Sequence, residues 1–245
     1  MKRFSVWFSM LLMVALLWAC TEDNSSIVGS EQAQPTLQGE ADAFELGATV
    51  TFELTLENLA PVTGETSSQI FSPPVFATHN QHTRIYKVGK VASSEVYQIA
   101  EDAVNGPLVD ALNGSDDVYA VTEGGDVVFP GASATYTIET TKDFKKLSMI
   151  TMLVNTNDAF AGLSNIKLNP NASQTIDIYA YDAGSEENTE LFSDIPGPCC
   201  GNPLVRVPTN DPISLHEGIT GAGDLDPALY NWEGPVARLT ITRVN

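Results

Sequence analysis

The sequence has 245 residues, 43% of them apolar, with 12 Lys and Arg against 31 Asp and Glu, a net charge of −19 and a pI near 4.2. That length suits one large β domain or two small ones, and the apolar share is enough for a core. The acid excess excludes nucleic acid as a partner and favours cations or basic surfaces, while a charged fraction of only 18% excludes a disordered acidic tail.

Lys2 and Arg3 precede an almost wholly apolar run over residues 4–19, which is short for a membrane span and suits a signal peptide. The run ends at Leu17-Trp18-Ala19-Cys20, which resembles the lipobox of bacterial lipoproteins, where a small residue precedes the cysteine that receives lipid. The expectation is a lipoprotein signal peptide over 1–19 with Cys20 as the lipidation site. The alternative is an ordinary cleaved signal. Cleavage before Cys20 leaves 10 basic and 31 acidic residues, a net charge of −21. Residues 20–46, rich in Ser, Glu, Gln and Gly, read as a flexible tether. Thr21 in place of Asp points to the outer membrane, and Glu22 and Asp23 resemble surface-export signals.

From residue 47 to 245 the pattern is that of one β domain. "VTFELTLEN" alternates, with Val50, Phe52, Leu54 and Leu56 on one face and Thr51, Glu53, Thr55 and Glu57 on the other, the signature of a half-buried strand. A helix is predicted over 93–103, with Val96, Ile99, Ala100 and Ala103 at helical spacing, and "PLVDAL" predicts one further turn. Alternation returns in "SATYTIET", "QTIDIYAY" and "VARLTITRV". "KLSMITMLVNT" is continuously apolar, as expected of a central strand covered on both faces. Strands outnumber helices and no βαβ alternation occurs, so the fold class is all-β, an antiparallel β-sandwich with one or two short helices.

Several stretches share an order and spacing: "FSPPVFATHN" at 71–80, "VASSEVYQIAEDA" at 91–103, "TMLVNTNDAFAGL" at 151–163, "AYDAGSEENTE" at 180–190 and the stretch from His216 to Thr242. Together they resemble the spondin N-terminal domain family, over roughly residues 45–245. The resemblance implies a C2-like sandwich with a calcium ion held by loops at one end. It implies three acidic ligands, here Asp158, Asp182 and Glu186, the last being Asp in the animal pattern. It also implies adhesion-type roles outside the cell, although the extra modules of animal relatives have no room here.

The residues themselves allow this chemistry. Calcium takes six to eight oxygens from carboxylates, carbonyls and water. Asp182 closes one apolar strand, Gly184 permits a tight turn, and Glu186 can then face back. Asp158 is read as closing a second strand. The competing reading is a row of solvated turn acids, and Glu187 and Glu190 are read that way. Asp224 and Asp226 are expected in a turn, and His79 and His216 in structural hydrogen bonds rather than a zinc site. Cys199 and Cys200 are adjacent, and outside the cytoplasm they are expected either as a vicinal disulfide or as free thiols. No nucleophile elbow, zincin motif or phosphate loop is present, so no enzyme is expected.

The functional expectation is an exported, lipid-anchored cell-surface protein, calcium-binding, with an extracellular protein or glycan partner and with membrane contact through the lipid anchor only. The alternatives are a structural envelope lipoprotein whose metal only stabilises the fold, and an envelope hydrolase.

Overall fold

Two antiparallel sheets face each other in the computed structural model, which describes residues 48–63, 68–201 and 205–245. The leader 1–19, Cys20 and the tether 20–46 lie outside the described residues, and one compact unit, Glu40–Asn245, holds all the described ones. In chain order the elements are β1 (Val50–Asn58), β2 (Val75–His79), α1 (Ser94–Asp102), α2 (Gly106–Asn113), β3 (Val118–Glu123), β4 (Ser133–Thr140), β5 (Lys146–Met152), β6 (Ala159–Lys167), β7 (Gln174–Ile178), β8 (Ala180–Asp182), β9 (Ser214–Leu215), α3 (Pro227–Tyr230) and β10 (Ala237–Arg243). The smaller sheet has the order β4-β1-β10-β7 and the larger β3-β2-β5-β6-β8-β9. The all-β sandwich expected from the sequence is present.

The smaller sheet buries one face only, so its strands show the alternation that marks them in the sequence. Phe52, Leu54 and Leu56 of β1, Ile138 of β4 and Leu239 and Ile241 of β10 point into the space between the sheets. The larger sheet is covered on both faces. Phe76, Leu147 and Met149 face the smaller sheet, while Val75, Ala77, Ile150 and Phe160 face α1 and α2 through Val96, Ile99, Ala100, Leu108 and Leu112. This explains the continuously apolar β5, which lies between β2 and β6. It also explains why "PLVDAL", expected as a single turn, is the full helix α2, with Leu108 and Leu112 buried against that second face.

Two connections differ from expectation and both shape the candidate site. The stretch "QTIDIYAY" is two strands rather than one. The chain leaves the smaller sheet after Ile178 and enters the larger at Ala180, so Asp182 ends β8. Asp158 does not close β5. It stands immediately before β6, after a turn over 153–158 that Thr156 holds by donating to the Leu153 carbonyl and accepting from the Ala159 N–H.

β1 lies between β4 and β10, and its Phe52, Leu54 and Leu56 are fully buried in the core between the sheets. Leu54→Ala is expected to cost about 2–5 kcal/mol in urea unfolding, while the exposed-face change Glu53→Gln stays within about 0.5 kcal/mol.

Candidate metal centre

The register of β6 against β8 sets Ala159 opposite Asp182, so Asp158 and Asp182 lie at one end of adjacent strands. Asp158 is fully buried. Its Oδ2 accepts from the Ser185 N–H at 2.8 Å, the Ser185 hydroxyl at 3.1 Å and the Glu186 N–H at 3.0 Å, while its Oδ1 has no hydrogen-bond partner. The turn that brings those donors is possible only with glycine at 184. Its φ is +69°, and a Cβ there would meet the Asp211 carbonyl oxygen at 2.3 Å. Asp182 accepts from the Gly184 N–H at 2.6 Å and from Asn188 Nδ2 at 2.7 Å.

Burial, and next the charge of Asp182, push the Asp158 carboxyl up to about 7, against the three hydrogen bonds that favour its ionised form. Glu186 is buried as well, and burial pushes it up to about 8 despite a guanidinium beside it. That guanidinium belongs to Arg206, whose Nε lies 2.7 Å from Glu186 Oε1 as an ion pair outside hydrogen-bond alignment. Glu186 Oε2 has no hydrogen-bond partner. Arg206 also pairs with Asp102 and approaches Glu101 Oε2 at 3.9 Å. Glu101 and Asp102 occupy the last turn of α1, where the helix dipole disfavours negative charge and no basic residue of the helix offsets it. Arg206 therefore serves two deficits at once, the C-terminal end of α1 and the buried Glu186.

The structure thus places Asp158 close enough to be repelled by both Asp182 and Glu186, and it sets Arg206 against the charge of Glu186. Buried oxygens without partners on Asp158 and Glu186 are the donor chemistry a hard cation takes. The grouping is incomplete, because among the described residues no three His, Cys, Asp or Glu side chains converge into a ready ligand set.

Glu190 is not a solvated acid, as the sequence suggested, but a buried clasp. It accepts from the N–H groups of Thr220, Gly221 and Ala222 at 2.6, 2.7 and 3.0 Å and from the Thr220 hydroxyl at 2.8 Å. The glycine-rich run "TGAG" was the available signal, since such turns expose successive N–H groups to an anion. Glu187 is exposed, as expected. Asp224 accepts from the Phe192 N–H at 3.0 Å, and Asp226 caps α3 through the Ala228 N–H at 2.9 Å, so both shape turns. Arg206, Glu101 and Asp102 carried no sequence signal, because they meet only through tertiary structure.

His79 is held between the Asn80 carbonyl at 2.6 Å and the Ser148 hydroxyl at 2.8 Å. His216 accepts from the Gly218 N–H at 2.9 Å and packs on Trp232. Cys199 and Cys200 are joined as a vicinal disulfide, both partly buried against the core between the sheets, with the Cys199 N–H donating to Asn155.

The Spondin_N family model matches residues 61–198, which include Asp158, Asp182 and Glu186 and stop just before the two cysteines. No curated protein matches the chain.

The raised carboxyls give the cation-free protein a definite pH dependence. The native state holds protons on these two groups that the unfolded chain has released, so their contribution to stability is full below the ordinary carboxylate range and is lost as pH rises through about 7 to 8. Urea unfolding in chelator between pH 5 and 8 should show that decline, and Asp158→Asn should flatten it. Glu190→Ala removes the acceptor of four donors, of which only the Ala222 N–H keeps another partner, the Thr220 hydroxyl, and should cost about 2–4 kcal/mol by the same measurement.

Proposed function

The chain belongs to the Spondin_N family, and from that premise we propose that it is a calcium-dependent binding protein of the cell surface, carried there by a lipid on Cys20. The observation behind the calcium reading is Asp158 Oδ1, a fully buried carboxylate oxygen without a partner beside a second carboxylate. Asp158 and Asp182 are the carboxylates that would hold the ion. Glu186 joins them when Arg206 moves off, which makes Arg206 an internal competitor for the same oxygens. The ion would supply positive charge that lets all three acids stay ionised in a buried setting.

Leu191 and Phe192 are exposed on the same loop system, and an extracellular protein or glycan is the proposed partner. Aromatic and aliphatic side chains beside a polar site suit such recognition. Spondin_N is not known as an enzyme family. Among the described residues no helix is long and apolar enough to cross a membrane.

Thermal unfolding in chelator and in calcium tests the site. With a dissociation constant of about 0.2 mM, 2 mM calcium adds about 1.4 kcal/mol, a rise of a few degrees. The rise should disappear in Asp158→Asn, shrink in Asp182→Ala and grow in Arg206→Ala, where the competitor is gone. An equal rise with magnesium in all four proteins refutes the site. A calcium-specific rise with partner binding indifferent to calcium assigns the ion to stability alone. Palmitate labelling that persists in Cys20→Ser refutes the anchor.

A further inference from the structure

The net charge of the chain conceals a segregation that the fold creates. The connections 141–145 and 168–173 both cross between the sheets at the end opposite Asp158, and the Leu168 N–H donates to the Lys145 carbonyl between them. Lys142, Lys145, Lys146 and Lys167 stand on or beside those crossings. Arg243 ends β10 at the same level, opposite Phe52 of β1, and Arg84 acts on His79 of β2 together with Lys146. These six are most of the Lys and Arg that follow residue 20. Acids are also present at this end: Asp143 lies exposed between Lys142 and Lys145, Asp117 is tied to Asn80 with Asp116 beside it, and Glu139 and Glu53 lie on the outer face of the smaller sheet, away from the β5–β6 lysines.

Lys146 and Lys167 are direct partners across β5 and β6. Like charges placed opposite each other destabilise a ladder, so the pair violates a local rule in a chain rich in acids that could have relieved it. An anion over the pair removes the conflict. Beside the lysines, the rings of Tyr119 and Phe144 meet at a tilt with centroids 5.6 Å apart, Tyr119 is 38% exposed and Val244 53% exposed. Lysine mixed with amphipathic aromatic side chains suits the headgroup level of a bilayer. The described chain also enters this end, since Thr49 bonds Tyr119 just before β1 begins.

We propose that this lysine-rich end is a docking face for a bilayer carrying anionic headgroups. It turns the sandwich so that the acidic loops face away from the membrane. The inference rests on the proposed anchoring only for the nearness of a bilayer, and the charge argument stands without Cys20.

The test uses the unacylated chain from residue 20 with Cys20→Ser, which contains every strand and both core clusters. Cosedimentation is measured with vesicles of phosphatidylcholine alone and with added phosphatidylglycerol, in chelator and in calcium. Binding is expected only to the anionic vesicles, in chelator as well as in calcium, and it should weaken as salt rises. The combined Lys145→Gln, Lys146→Gln and Lys167→Gln protein should partition about a hundredfold less. The single exposed change Lys167→Glu, least able to disturb folding, should lower it at least tenfold. No binding to anionic vesicles, equal binding to both compositions, or binding that needs calcium and ignores the lysines overturns the proposal. Palmitate labelling is independent of all these outcomes, so failure of the anchor and failure of the docking face remain distinguishable.

Discussion

A carboxylate taken out of water must find donors or a counter-charge, and the loop end of this sandwich is organised around three that have been taken out. Asp158 gathers the N–H groups of 185 and 186, Glu190 gathers those of 220 to 222, and Glu186 gathers a guanidinium. Each pins a segment distant in sequence, so buried charge joins apolar packing in arranging the loops. The three solutions differ in completeness. Glu190 is matched on both oxygens, and the hydrogen bonds from 220–222 draw its carboxyl below the ordinary range although burial opposes them. Asp158 is matched on one oxygen only, and Glu186 is matched in charge but not in hydrogen bonding. Buried polar atoms left unmatched are uncommon in folded proteins, and here they fall on Asp158 and Glu186 and not on Glu190.

The legibility of the fold followed the number of faces each strand buries. β1, β4, β7 and β10 have one wet face, and their alternation is visible in the sequence. β2 is buried along its whole length, and β6 is small and apolar at its start, so neither carries a period of two. The candidate acids Asp182 and Glu186 could be placed because Gly184 marks the turn between them. Asp158 stands at the start of β6 and not at the close of β5, because the turn 153–158 is built from Thr156 bonds that no periodicity reveals. Glu190 was misjudged for a related reason: its donors lie about thirty residues onward. Arg206 was invisible, since its meaning depends on α1 and Glu186 arriving at one point.

Topology separates charge along the long axis of the sandwich. Crossings between the sheets at one end carry lysine, while the turn before β6 and the loop after β8 carry acid. Overall net charge is therefore a poor guide to what either end attracts. The vicinal disulfide and Arg206 lie on one short stretch of the acidic end, where a two-residue covalent ring packs on the core and, a few residues on, a single cation compensates the neighbouring carboxylates.

The pairing of β1 with both β4 and β10 also has a mechanical side. Force entering at residue 48 and resisted at the loops of the opposite end runs along β1, while the hydrogen bonds that hold β1 on its two flanks run across it. Such a load falls on both ladders together and shears them, instead of peeling one bond after another. A domain held at one end and pulled at the other is thereby gripped through its most extensively paired strand.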